Sequence, residues 1–170
     1  MAETILVVDD ESDIRDMLAF ALKAEGFEVK TAGNGKEALE ILDAQSVDLL
    51  LTDLKMPVMD GLALAQAVKT ADNDTEIIVL TGHATVQNAV DALKTIGASD
   101  FLTKPLDDID HLILAATNAL ERRRLRLQNR RLMDELKAHR DTLEQQVSER
   151  TLALRREIRE HHRTEEALRE

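Results

Sequence analysis

The sequence predicts a doubly wound α/β domain, with five parallel strands in the order 2-1-3-4-5 and helices on both faces. Three observations predict it. Short apolar runs alternate with helix-period stretches from residue 4 to about residue 105. Three of the runs, Ile5-Leu6-Val7-Val8, Leu49-Leu50-Leu51 and Ile77-Ile78-Val79-Leu80, are apolar without alternation, which suits strands buried on both faces. Finally, these runs and Phe101-Leu102 lead at once, or within two residues, to Asp9-Asp10, Asp53, Thr81 and Lys104. The carboxyl ends of parallel strands border one crevice, so this spacing gathers three carboxylates, a hydroxyl and an ammonium at one end of one sheet.

Taken in order, a first strand is expected over 4–8. Asp10-Glu11-Ser12-Asp13 then supplies cap-type and acidic residues to the start of a helix over 12–25, where the helix dipole favours them. Gly26 stands where that helix should stop. A strand over 27–31 and a helix over 35–45 follow. The third strand, 48–52, leads to Asp53, and Met56-Pro57-Val58-Met59-Asp60-Gly61 reads as a tight loop that holds Asp53 exposed. A helix over 60–70, a strand over 76–81, a helix over 84–96 closed by Gly97 and a strand over 99–102 complete the domain. The first and third strands should be adjacent at the switch point.

A last helix is expected from about residue 107. Between Asp107 and Glu170 there is neither proline nor glycine, and a helix of roughly 60 residues spans about 90 Å. Leu125, Leu136, Val147 and Ile158 recur every 11 residues, interleaved with Leu132, Leu143 and Leu154. An 11-residue repeat slightly exceeds the natural helical period, so the seam should be nearly straight or weakly right-handed. Such a helix needs a partner for its apolar stripe, which points to a homodimeric coiled coil. The third seam position is polar (Asn129, Arg140, Thr151, His162), so the coil should be of modest stability. The pattern fails at Glu165, and the chain is expected to be a fragment that continues beyond residue 170. The domains are therefore read as 1–120 and 121–170.

Charge divides the chain at the same place. The net charge is −11, but residues 1–120 hold 8 Lys/Arg against 22 Asp/Glu, and residues 121–170 hold 14 against 11. Aromatic residues make up 2%, so the core must be aliphatic. The absence of cysteine excludes disulfides, thiolate catalysis and zinc–thiolate sites. No basic region leads into an apolar segment at Met1-Ala2-Glu3-Thr4, and no charge-free run approaches the roughly 20 residues of a membrane span. The expectation is a cytoplasmic protein without membrane contact.

Asp9, Asp10 and Asp53 repel one another at one crevice, and ionising all three calls for a cation. A hard ion with oxygen ligands fits, and Mg²⁺ is the expected cofactor. Each aspartate alone could merely cap a helix or open a turn; their convergence with Thr81 and Lys104 favours a phosphoryl and metal site. Lys104 can pair with Asp53, or with a phosphoryl group once one arrives. Thr81 offers a hydroxyl donor. The cluster Arg122-Arg123-Arg124, Arg126 and Arg130-Arg131 reads as the solvated face of the coiled coil rather than a nucleic-acid surface, since acidic residues follow in every turn and no aromatics are present for base stacking. His161-His162 reads as a surface pair. No Gly-rich nucleotide-binding loop is present.

Residues 3–120 resemble the receiver domain of bacterial two-component response regulators. The resemblance rests on Asp9-Asp10, on Asp53-Leu54-Lys55-Met56-Pro57 with Asp60-Gly61, on Thr81-Gly82 and on Lys104-Pro105. It implies that Asp53 takes a phosphoryl group from a phosphohistidine on a sensor histidine kinase or phosphotransfer protein. It implies Mg²⁺ held by Asp10, Asp53 and the backbone carbonyl of Lys55, with Asp9 helping through water. Lys104 and Thr81 would bond the phosphoryl oxygens, Phe101 would be the aromatic switch, and Gly82 would leave the approach open. Lys55 and His83 would tune the phosphoryl lifetime, and the Lys104-Pro105 peptide would be cis. Such a module catalyses only its own phosphorylation and dephosphorylation and is not a metabolic enzyme. Two alternatives remain: an aspartyl phosphatase, although Lys55 stands where such enzymes carry a second carboxylate, and a structural dimerisation adaptor with a degenerate receiver. Residues Leu143-Glu144-Gln145-Gln146-Val147-Ser148-Glu149-Arg150-Thr151 resemble the signalling helix that links sensor and output domains in bacterial proteins. That resemblance implies a parallel dimer feeding an output domain absent from this chain.

Overall fold

The computed structural model describes residues 2–71, 74–82, 97–106 and 108–167, except for the side chains of 166 and 167. Strands β1 (Thr4–Val8), β2 (Glu28–Ala32), β3 (Leu49–Asp53), β4 (Glu76–Thr81) and β5 (Asp100–Thr103) form one sheet. The order is β2-β1-β3-β4-β5, and every pairing is parallel. This is the predicted topology, with β1 and β3 adjacent. Helices α1 (Ser12–Ala24), α2 (Gly35–Ala44) and α3 (Gly61–Ala71) connect the strands, and a C-terminal helix runs over Ile109–Ala167. The helix expected over 84–96 lies outside the described residues.

The unbroken apolar runs are explained by their two-sided burial. Ile5 and Val7 of β1 face one way, with Leu49 and Leu51 of β3 and Ile78 and Leu80 of β4, into a core closed by α1 and the C-terminal helix. Their neighbours Leu6, Val8, Leu50, Ile77 and Val79 face the other way, into a core closed by α2 and α3. A strand side chain alternates faces at every residue, so a strand with helices on both sides has no polar face to show. Leu112, Ala115, Ala116, Ala119 and Leu120 carry the C-terminal helix across the first core.

Local chemistry ends the elements as expected in some places and not in others. Gly26 has a φ of 91°, the left-handed stop expected after α1. The start of α1 differs: its N-cap is Glu11, which makes no side-chain cap, and Asp9 Oδ1 accepts the Glu11 N–H at 3.0 Å instead. At α2, Asn34 Oδ1 accepts from the N–H groups of Lys36 and Glu37, both at 3.0 Å, while Glu37 Oε2 accepts the Gly33 N–H at 2.8 Å. Such a reciprocal box satisfies several orphan donors at once.

The chain divides into two compact units, Met1–Arg126 and a second beginning at Leu127. In the second unit, Leu132, Leu136, Leu143, Val147, Leu154 and Ile158 are each between 48% and 64% exposed, so no other described residues bury the predicted stripe. Ion pairs one turn apart, Arg131–Glu135 at 3.0 Å and Arg140–Glu144 at 3.6 Å, brace it. Each such pair contributes only about 0.3–0.5 kcal/mol. No helix among the described residues is long and apolar enough to cross a membrane.

Candidate functional site

The ends of β1, β3, β4 and β5 bring the expected residues to one place. Asp9 follows β1 and is fully buried. Its backbone carbonyl accepts a bond from Arg15 Nη1 at 2.6 Å, and its Oδ1 is held by the start of α1. Asp10 lies beside it, exposed. Asp53 is the last residue of β3 and is only 8% exposed. This corrects the expectation of an exposed aspartate: the strand runs one residue further than predicted, and Lys104 covers the carboxylate. Asp53 Oδ1 accepts the Lys55 N–H at 3.3 Å, and Oδ2 accepts from Lys104 Nζ at 2.8 Å.

Lys104 Nζ also lies 2.8 Å from Asp9 Oδ2 and 3.8 Å from Glu11 Oε1. The Lys104 ammonium is thus the cation paired with that buried Asp9 oxygen. The Lys104 backbone N–H donates to the Thr81 carbonyl at 2.9 Å, which fixes the lysine where β4 and β5 end. The Lys104-Pro105 peptide is cis. The ammonium is held above the ordinary lysine value: burial lowers its pKa, but the contacts to Asp53 and Asp9, with their charges, together outweigh that cost.

One oxygen from each of Asp9, Asp10 and Asp53 lies within 4.8 Å of the others. Three carboxylates against a single adjacent ammonium leave a surplus of negative charge and of hard oxygen donors. One of those oxygens, Asp9 Oδ2, is buried and faces the Lys104 ammonium at 2.8 Å, while the Asp10 carboxylate is exposed. This donor set fits Mg²⁺, which takes one or two carboxylates and keeps several waters.

The loop after Asp53 is built around close approach. A β-carbon on Gly61 would lie 1.9 Å from the Asp53 carbonyl oxygen, so only glycine lets α3 begin against this strand end. Asp60 Oδ1 accepts the Ala63 N–H at 2.7 Å and caps the same helix. Val58 has a φ of 70°, and the Met59 N–H bonds the Pro57 carbonyl at 2.8 Å across it. That is a γ-turn with a β-branched centre, a strained arrangement. Lys55 is exposed next to the site.

Thr81 closes β4 and is 7% exposed, and a β-carbon on the following Gly82 would meet nothing within 4 Å. Phe101 is half-buried against the core on the α2–α3 side. His83 lies outside the described residues. The spacing rules single out neither Arg15 nor Glu11, which fix Asp9 and approach Lys104. A helix N-terminal turn directly after an acidic strand end was the available signal.

Comparison with known proteins agrees with this geometry. A family profile described as the response regulator receiver domain matches residues 5–117. The chain is 37% identical over 131 residues to the C4-dicarboxylate transport transcriptional regulatory protein DctD of Rhizobium meliloti (strain 1021), covering 77% of this chain and 28% of DctD. It is 38% identical over 128 residues to the regulatory protein AtoC of Escherichia coli (strain K12), covering 75% and 27%. The chain thus spans just over a quarter of these curated relatives. Among solved structures, NtrX from Brucella abortus in complex with ADP superposes with a TM-score of 0.71 at 38% identity, covering 75% of this chain and 29% of NtrX. A response regulator receiver domain protein from Clostridium thermocellum superposes at 0.67 with 38% identity, covering 72% of this chain and 98% of that one. The matched segment covers the sheet from Ile5 of β1 to the end of β5, with Asp9, Asp10, Asp53 and Lys104 inside it, and by this match the chain belongs to the response regulator receiver family.

Proposed function

We propose that Asp53 is the phosphoacceptor of a two-component switch, that the receiver occupies residues 1–120, and that the helical segment 121–170 carries the resulting change into a parallel homodimer. The observation that carries this reading is the Lys104 ammonium 2.8 Å from Asp53 Oδ2, with Asp9 and Asp10 beside them. In the proposed reaction an Asp53 carboxylate oxygen attacks the phosphorus of a kinase phosphohistidine. The P–N bond breaks, the imidazole leaves, and an acyl phosphate forms. Phosphoryl transfer asks for positioning and charge neutralisation more than for protein covalent chemistry. Lys104 is placed to follow the charge from the carboxylate to the phosphoryl oxygens, and Thr81 to donate its hydroxyl to one of them. Phe101, half-buried within β5 opposite Val79, is the aromatic that would respond. Asp10, Asp53 and the Lys55 carbonyl would hold Mg²⁺, with Asp9 assisting through water, and the ion would neutralise oxygen charge during transfer. Lys55 and His83 would set the lifetime.

On this reading the protein turns over only its own phosphoryl group. Lys55, at the second position after Asp53, supplies no carboxylate for sustained hydrolysis. The unpartnered stripe of the second unit supports dimerisation, and the family supports a histidine kinase or phosphotransfer protein as donor. DctD and AtoC are named as regulatory proteins; an output domain beyond this segment is proposed here by analogy with them. Intact mass after incubation with Mg²⁺ and a small phosphodonor tests the acceptor assignment. One phosphoryl group should be gained, and none by Asp53→Asn; equal gain by that variant would overturn it.

A further inference from the structure

At the end of the sheet opposite the acidic crevice, the arginines of the C-terminal helix are mostly exposed, as expected, but four of them also reach back to the strand bases, and Arg123 is half-buried there. Arg123 Nη1 pairs with Asp48 Oδ1 at 2.7 Å, and its Nε donates to the Asp74 carbonyl at 3.0 Å. Asp48 Oδ2 in turn accepts the Thr4 N–H at 2.8 Å, so one carboxylate joins the start of β1 to the helix. Arg126 Nη2 lies 2.7 Å from Glu76 Oε1, with hydrogen-bond geometry unmet there, and donates to the Asp74 carbonyl at 3.2 Å. Arg122 reaches the Ser99 carbonyl at 3.4 Å, and Arg124 reaches Glu3 at 3.0 Å. Glu76 is 4% exposed and accepts a bond from the Ser99 hydroxyl, which ties the bases of β4 and β5 together.

We infer that Arg123 and Arg126 form a clasp that anchors the C-terminal helix to the strand bases, and that Glu76 couples the clasp to β4 and β5. All of these residues lie within the first unit, of which Arg126 is the last residue. Three features carry the inference. A buried carboxylate without its cation is costly, so Glu76 holds Arg126 firmly. Arg123 and Arg126 each pair with a carboxylate and donate to the Asp74 carbonyl, so each guanidinium has two points of attachment. Through Glu76 and Ser99 the clasp reaches β4, which ends on Thr81, and β5, which ends just before Lys104, some six residues or roughly 16 Å along β4. A shift of either strand at the site end therefore has a rigid path to the helix that does not require its apolar contacts to move. Such a path carries coupling only if both ends bias one two-state element.

The anchoring stands without the phosphoacceptor reading; the coupling rests on it. Hydrogen exchange of the full chain tests both. In unphosphorylated protein, Arg123→Gln/Arg126→Gln should exchange the amides of 118–130 about tenfold faster, as loss of charged hydrogen bonds at a locally opening element brings. Strands β1 and β3 should stay protected, which separates clasp loss from global unfolding. Unchanged exchange over 118–130 would overturn the anchoring. After phosphorylation, monitored by intact mass, wild type should change its exchange over 118–130, and the variant should lose at least half of that response while gaining the same mass. Equal responses at equal mass would overturn the coupling. No mass gain by wild type would instead defeat the phosphoacceptor reading, and the unphosphorylated comparison would still decide the anchoring.

Discussion

Lys104 concentrates the chemistry of this molecule in one side chain. It sits between two aspartates at 2.8 Å each, and its pKa is raised despite burial. A folded-state value above the unfolded one means that its contribution to stability is fully present below the ordinary lysine pKa, about 10.4. That contribution is lost as the pH rises through the raised value. In chelator-treated protein, alkaline unfolding curves of wild type and Lys104→Met should therefore converge at high pH; curves that stay parallel would contradict the pairing. Gly61 makes a harder demand. Its substitution by alanine puts a methyl group 1.9 Å from the Asp53 carbonyl oxygen, and overpacking against backbone should cost about 3 kcal/mol or more in denaturant unfolding. Val58, exposed with a φ of 70°, allows the opposite test. Val58→Gly should raise stability by about 1 kcal/mol, because glycine adopts a positive φ without the strain of a branched side chain.

Secondary-structure elements show how far the sequence could be read. Strands β1, β3 and β4 were legible because two-sided burial leaves no polar alternation, and β4 begins and ends where predicted. Strand β2, at the sheet edge, mixes exposed and buried positions and was placed one residue early. The capping of α2 by Asn34 went unread, although Asn34-Gly35-Lys36-Glu37 carries the signature of a box. Asn34→Ala should cost about 1 kcal/mol, measured as a shift in denaturant midpoint. The site aspartates were legible because strand ends converge by topology alone. The burial of Asp53 was not, since it depends on Lys104, 51 residues away. The arginines of the C-terminal helix are exposed as expected, apart from half-buried Arg123, but their ion pairs to the strand bases are not legible in the helix spacing. Charge spacing along a helix says which residues share a face, not which carboxylates wait at the far end of a sheet.

At the scale of the whole chain, two kinds of construction meet in one unbroken helix. Up to Leu120 it buries leucine and alanine against the sheet; from Leu132 to Ile158 its apolar stripe is exposed. If the proposed homodimer forms through these leucines at an 11-residue period, Leu136→Asp/Leu143→Asp should yield a monomer of reduced helicity in sedimentation and circular dichroism. An unchanged dimer would place the contact elsewhere. The central claim concerns Asp53, and borohydride reduction tests it most directly, since it converts an aspartyl phosphate to homoserine. Peptide mapping of protein treated with phosphodonor and Mg²⁺ should find homoserine at position 53. Homoserine at another aspartate, or none in protein that has gained a phosphoryl group, would contradict it.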